Sequence, residues 1–301
     1  MFFNKLNAFF ALSFILCLAC VTQAKPVQIV AITEDFASIA KSIGGELVST
    51  KALIKGSKNL HHINPKPSMV MALRSADILI RLGMEQDSWV DSLILTARNK
   101  ALYPGQKGYI DASVGINKLE VPNEKIDGSQ GDVHRFGNPH YWLNPDNGIV
   151  IAATIRDTLK RIDPANASSY EANFIKFKSQ IQKALVQWRA QMKGFQSQHF
   201  VSYHKVWAYF YEAFRLTTMG ELEVFPGIQP TVRHLADLKE RALANKEPIT
   251  VIVASYYPTH SAQKFANSVN ANFVTLPTNV GEAGISSYTE LFDHIIKELN
   301  R

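Results

Sequence analysis

Six large apolar residues, Phe174, Phe177, Ile181, Leu185, Trp188 and Met192, recur at steps of three and four. That spacing lines them along one face of a helix. Asp163 and Pro164 stand just ahead, a cap residue followed by a first-turn proline. The helix is therefore expected over 163–194. From Ala165 to Met192 it would run about 40 Å at 1.5 Å per residue. A helix of that length crosses a whole domain and serves to link two.

The chain on either side of this helix alternates between two periodicities. VQIVAI (27–32) is a short β-branched run and predicts a buried strand, followed by the helical stretch TEDFASIAKSIGG. LVSTKALI, DILIRLG and GYIDAS predict further strands, with helices around SMVMALRSA and DSWVDSLILTAR. NPDNGIVIAATIRDTLKRI is helical and leads into the linking helix. Beyond it, HFVSY, ITVIVAS and NFVTL predict strands. KVWAYFYEAF, RHLADLKERALAN, HSAQKFANSVN and YTELFDHIIKELN predict helices between and after them. Strands alternating with helices build parallel sheets from βαβ units. The expected fold class is α/β: two parallel-sheet lobes, 25–162 and 195–301, joined by a long rigid backbone helix, with a cleft between them.

The first 24 residues stand outside this pattern. They carry one positive residue, Lys5, an apolar run from Ala8 to Val21, and small residues near Ala24. This reads as a secretory signal peptide over 1–24, its apolar run short for a membrane span of about 20 residues. Both cysteines, Cys17 and Cys20, lie inside it. A mature chain from residue 25 would have no thiol for a disulfide or a metal. Leu18-Ala19-Cys20 also suggests a lipid-attachment site, but Cys17 stands where a leucine is expected. A periplasmic, unanchored protein is the favoured expectation. The formal charge of +6 is scattered among Asp and Glu along the chain, with no nucleic-acid signature.

In parallel α/β lobes, ligands sit beyond the carboxyl ends of the strands. His61, in NLHHINPKPS, follows a strand by a short loop; His204 directly follows HFVSY; His140, in GNPHYWLNPDNG, stands just before a helix. A cleft between two lobes can gather all three. Each also has an ordinary reading, as a loop residue, a helix cap or a packed ring. No pair has the close spacing of a helix-borne metal motif. His62, His134, His199 and His260 are weaker candidates; His134 precedes the site, and His199 and His260 read as structural or surface groups.

HHINPKPS, NPHYWLNPDN and YHKVWAYF together resemble the solute-binding proteins of zinc and manganese ABC transporters. The resemblance aligns His61 through Pro65, Pro67 and Ser68, His140 through Pro139, Trp142 and Leu143, and His204 through Tyr209 and Phe210. LGMEQDSWVD (82–91) resembles the family's segment after the third strand. The resemblance spans nearly all of the mature chain. It implies two α/β lobes bridged by a rigid helix, His61, His140 and His204 as metal ligands, and delivery of the ion to an ABC permease.

At the fourth ligand the sequence departs from that family. The usual aspartate near the C-terminus is replaced by Ser286, in GISSY. Water, Glu282 in the glycine-flanked loop VGEAGI, or Glu223 in ELEVFPG are the alternatives for that position. Imidazole suits Zn2+, whereas Mn2+ prefers more oxygen, so zinc is favoured over manganese. The chain is expected to be a monomer and not an enzyme. Two rival readings stay open. One is a secreted zinc hydrolase using Glu282 as a base. The other is an adhesin or chelate carrier of the same fold, its pocket lined by Trp142, Trp207, Tyr256 and Tyr257.

Overall fold

The computed structural model describes residues 25–301 except 57, 61, 62, 124–133 and 226. The leader expected over 1–24 therefore lies outside the described residues. So do His61 and His62. Among the described residues no helix is long and apolar enough to cross a membrane.

The first lobe follows a strict alternation. It runs β1 (Val27–Ala31), α1 (Glu34–Gly44), β2 (Val48–Ala52), α2 (Pro67–Arg74), β3 (Ile78–Arg81), α3 (Val90–Ala97) and β4 (Tyr109–Asp111). The strands pair in parallel in the order β2-β1-β3-β4. β3 is buried along its length, as a strand covered on both faces must be. Its last residue is nevertheless Arg81. Its guanidinium is held at 2.8 Å by buried Asp87, which also accepts the Leu82 and Gly83 backbone N–H groups. That pair anchors the turn after β3, because a buried charge survives only when partnered.

The second lobe repeats the plan with β5 (His199–Ser202), α6 (Ala208–Phe214), β6 (Thr217–Glu221), α7 (Val232–Ala244), β7 (Ile249–Ala254), α8 (His260–Ser268), β8 (Asn272–Leu276) and α9 (Tyr288–Leu299). Its strands are also parallel, in the order β6-β5-β7-β8. In each lobe the first two strands swap places while the third and fourth follow, so the halves share a topology their sequences do not display. β6 is the strand absent from the sequence reading. TTMGE has no apolar run, lies on the edge, and breaks register at a bulge near Gly220, whose φ is +134°.

Two successive helices lead from the first lobe into the second. α4 (Pro145–Ile162) starts from Asn144, whose side chain accepts the Asp146 N–H at 2.9 Å. A 3-10 turn at Pro164–Asn166 then leads into α5 (Ala167–Gln191), and a second turn, Met192–Phe195, follows it. The Asp163 carboxylate accepts from the Tyr170 hydroxyl and the Asn166 amide and caps no backbone N–H, while its carbonyl accepts the Asn166 N–H at 3.2 Å, the i to i+3 bond of a 3-10 turn. The stripe from Phe174 to Met192 is buried throughout. α5 packs on α1 and α4 of the first lobe and on α9 of the second. Asn173 donates to the Ile43 carbonyl at 2.9 Å, and Trp188 Nε1 donates to Asp293 at 2.8 Å. One apolar core runs through both lobes and this helix.

Polar contacts staple the lobes face to face. Trp142 Nε1 donates to the Thr278 carbonyl at 2.9 Å, and the Tyr288 hydroxyl bonds the Trp142 carbonyl at 2.5 Å. Gly148, in the first turn of α4, makes room for Tyr288, since a Cβ there would run into its ring. Val280 N–H donates to buried Asp35 at 2.9 Å. A wide hinge opening would break all of these at once.

Candidate metal centre

His140 is built into position by its neighbours. Pro139 precedes it and a 3-10 turn, Tyr141–Leu143, follows. Tyr141 fixes that turn by donating its hydroxyl to the Leu82 carbonyl at 2.6 Å. Trp142 packs beside the His140 ring, centroid to centroid 5.4 Å. His140 is 3% exposed, and both packing and a contact with Asn138 hold its ring. The Asn138 Oδ1 accepts both the His140 N–H and Nδ1, each at 3.0 Å. The orientation of that amide is itself determined, because Nδ2 faces two acceptors, Glu120 Oε2 at 2.8 Å and the Lys205 carbonyl at 2.7 Å. An amide oxygen only accepts, so Nδ1 of His140 carries the proton and Nε2 carries the lone pair.

His204 stands two residues beyond the end of β5 and is equally buried. Its Nδ1 meets Glu223 Oε2 at 2.7 Å, with both side chains out of water. Glu223 is held by its own backbone, through its N–H to the Tyr203 carbonyl at 3.1 Å, and its carboxylate also accepts the Gly227 N–H at 3.2 Å. A neutral ring donating from Nδ1 to a carboxylate again presents its lone pair at Nε2. This carboxylate–histidine arrangement is the one that orients and strengthens imidazole ligands to metals.

The two rings come from opposite lobes and meet edge to face, their centroids 5.7 Å apart and their planes at 80°. Two imidazoles sharing one tetrahedral ion at Zn–N of about 2.0–2.1 Å have centroids about 5 Å apart, a separation close to the one seen here. The segments bearing them are tied as well. Asn138 bonds the Lys205 carbonyl, and the Tyr209 hydroxyl bonds the Asn138 carbonyl at 3.0 Å and the Leu119 N–H at 3.1 Å.

Of the three expected histidines, the structure therefore brings together His140 and His204, while His61 lies outside the described residues. Among the described residues no group of three or more His, Cys, Asp or Glu side chains gathers around one point. Glu223, Glu282 and Ser286, the side chains considered at the fourth position, each have hydrogen-bond partners of their own. Glu223 meets His204 at Nδ1, the position of a carboxylate that orients an imidazole. Glu282 is 5% exposed and not a swinging arm. Its carboxylate accepts from the Ser255 hydroxyl, the Thr278 N–H at 3.2 Å, and the Asn279 N–H and amide at 3.0 and 3.1 Å. Ser286 is exposed and donates its N–H and hydroxyl to Glu290 at 2.8 and 2.7 Å, closing the start of α9. Although glycines flank it in sequence, Glu282 sits in a carboxylate cradle built by the polar residues at 278 and 279.

Asn138 was not singled out by the sequence. The signal was its place two residues before a histidine, in Asn-Pro-His, where a short amide reaches back to the ring. Trp142, Trp207, Tyr256 and Tyr257 are packed in or against the shared core. His199 opens β5 half-buried, and His260 is exposed at the start of α8.

Residues 29–301 match the family model described as zinc-uptake complex component A, periplasmic (ZnuA). The chain belongs to that family. ZnuA-family proteins are metal-binding transport components rather than an enzyme family, and the resemblance read from the three histidine motifs is thereby borne out. The high-affinity zinc uptake system protein ZnuA of Yersinia pestis is 26% identical over 222 residues, covering 69% of each chain. The manganese ABC transporter substrate-binding lipoprotein PsaA of Streptococcus pneumoniae is 25% identical over 182 residues, covering 57% of this chain and 55% of that one. A crystal structure of ZnuA superposes with a TM-score of 0.76 at 22% identity, covering 92% of this chain and 98% of that one. The likeness in structure bears out the two-lobed fold with its long helix.

Proposed function

We propose that this ZnuA-family protein captures a divalent transition metal ion outside the cytoplasmic membrane and hands it to an ABC permease, with zinc preferred over manganese. The observation that carries the reading is the meeting of His140 and His204 from opposite lobes, each with Nδ1 held by a protein acceptor. His61 supplies the third nitrogen and water the fourth position. Three imidazoles without a permanent carboxylate favour zinc, because manganese seeks more oxygen ligands. The relatives named for zinc and for manganese are compatible with either ion, so the preference rests on this donor set. The protein acts as a monomer and carries no catalytic step.

Buried rings already oriented by Asn138 and Glu223 lose little freedom when the ion arrives, which lowers the cost of binding. The cross-lobe staples and α5 restrict release to small shifts of a ligand-bearing segment. The test is elemental analysis of the purified mature protein together with zinc titration of His140→Ala. About one zinc per chain and at least a roughly hundredfold weaker variant are expected. A protein that stays metal-free with zinc supplied, or a His140→Ala variant of unchanged affinity, overturns the proposal.

A further inference from the structure

Glu120 lies in the segment after β4, and its carboxylate is shared between the lobes. Its Oε2 accepts from Asn138 Nδ2 at 2.8 Å, and its Oε1 lies 3.5 Å from Nζ of Lys205, the residue next to His204 in the second lobe. Asn138 also donates to the Lys205 carbonyl at 2.7 Å. Three residues from two lobes thus close a ring beside both histidines. The path from Glu120 to His140 runs through a single side chain. Glu120 holds Nδ2 of Asn138, and Oδ1 of the same amide accepts the His140 N–H and Nδ1, each at 3.0 Å.

The backbone of Glu120 is strained. Its φ is +52°, in the left-handed region that a side chain leaves unless its surroundings fix it. Here they do. The preceding Leu119 accepts the Asn138 N–H at 2.9 Å and gives its own N–H to the Tyr209 hydroxyl at 3.1 Å. Gly137, with a φ of +98°, lets the two segments approach, since a Cβ there would meet the Leu119 carbonyl oxygen at 2.7 Å. The clasp presents a carboxylate, not a neutral group, to the Asn138 amide.

Of the two contacts Glu120 makes, the one to Asn138 carries the effect. The pair with Lys205 is 3.5 Å long between side chains 37% and 45% exposed, and such pairs contribute little. The bond to Asn138 is shorter and charge-assisted, a class roughly twice as strong as neutral hydrogen bonds. It draws Nδ2 away from the imidazole and so keeps Oδ1 on it. With the amide reversed, an N–H would face Nδ1 and the ring proton would move to Nε2, the nitrogen whose lone pair the ion needs. We propose that Glu120 is a positioning residue: acting through Asn138, it holds His140 in the tautomer that binds the cation. This rests on the metal-capture reading above. The Lys205 carbonyl, the second acceptor on Nδ2, keeps part of that hold when Glu120 is lost, so the effect is partial.

Competition titration with zinc on the full mature chain tests this, comparing wild type, Glu120→Ala, Glu120→Gln, Asn138→Ala and the double variant Glu120→Ala/Asn138→Ala. Glu120→Ala should bind zinc about tenfold more weakly, the lower end of what the outer partners of a metal ligand are worth. Glu120→Gln keeps an acceptor for Nδ2 and should restore affinity to within about threefold of wild type. The double variant should bind no more weakly than Asn138→Ala alone, because Glu120 acts through that amide. Nitrogen NMR of the histidine rings in the metal-free protein gives a readout that a merely stabilising residue would not move. His140 should be the Nδ1–H tautomer in wild type and shift in part to Nε2–H in Glu120→Ala. Glu120→Met keeps the length of the side chain and carries the same expectations should the alanine variant fail to fold. Unchanged affinity, an unchanged tautomer, or losses that multiply in the double variant overturn the positioning role alone, because wild type still binds zinc. A wild type that binds no zinc overturns the proposed function and this role with it.

Discussion

Glu223 accepts a hydrogen bond from Nδ1 of His204 at 2.7 Å, both side chains buried at the mouth of β5. Its partner across the cleft, His140, makes the corresponding bond to a neutral amide, Asn138, at 3.0 Å. The two rings are thus oriented alike but polarised differently. A carboxylate behind an imidazole favours the positive charge that a coordinated cation places on the ring, whereas an amide only fixes its direction.

Glu223→Gln separates those effects. The amide is nearly isosteric and its oxygen still accepts from Nδ1, so the ring should stay in place while the charge behind it is removed. Zinc affinity measured by competition titration should fall roughly tenfold, the lower end of what such outer partners are worth. The metal-free melting temperature should move little. An affinity equal to wild type would show that the carboxylate only positions His204.

Ser286 offers the opposite case, a position that draws attention by what it lacks. Its N–H and hydroxyl both bind Glu290, while Ser287 Oγ accepts the Glu290 N–H at 3.3 Å, a reciprocal cap on α9. Ser286→Asp would place a carboxylate beside Glu290 and remove a hydroxyl donor. The expected result is unchanged zinc affinity, with stability lower by about 0.5–1 kcal/mol from the damaged cap. Isothermal titration and denaturant melts on the same samples decide it; a clear gain in affinity would restore a metal role to this position.

The contrast between Ser286 and Asn138 marks how far the sequence could be read. Periodicity located the buried stripe of α5 and seven of the eight strands among the described residues, because burial on one or both faces imposes its spacing directly. β6 escaped because an edge strand with a glycine bulge has no such spacing to display. His140 and His204 were legible as residues that sit at the ends of elements facing a cleft. What each neighbouring carboxylate does was not, since Glu223 and Glu282 look alike in sequence and differ only in which donors fold toward them. Glu223 finds an imidazole from the preceding strand, and Glu282 finds the backbone and side chains of its own turn. Such assignments depend on tertiary contacts between segments whose order in the chain does not reveal their distance.

Asp35 carries a prediction about pH. It is fully buried in the first turn of α1, with one oxygen accepting the Val280 N–H and the other without a hydrogen-bond partner. Burial pushes its carboxyl up to about 7; the Val280 N–H works against that rise and the nearby Glu282 charge adds to it. An unfolded chain would release this proton at the ordinary aspartate value, near 3.8. Between those two values the folded protein holds more protons than the unfolded one, so this group's contribution to stability falls as pH rises from about 4 to about 7 and is constant beyond. Asp35→Asn keeps an oxygen for Val280 and removes the buried charge. The variant should therefore melt higher than wild type at pH 8, and the difference should shrink as pH is lowered through the window between those two values and vanish below about pH 3, where Asp35 is neutral in both states. Thermal melts of the metal-free proteins across that range measure it. A variant that melts lower than wild type at pH 8 would mean that the ionised carboxylate on Val280 is worth more to the join between the lobes than its burial costs.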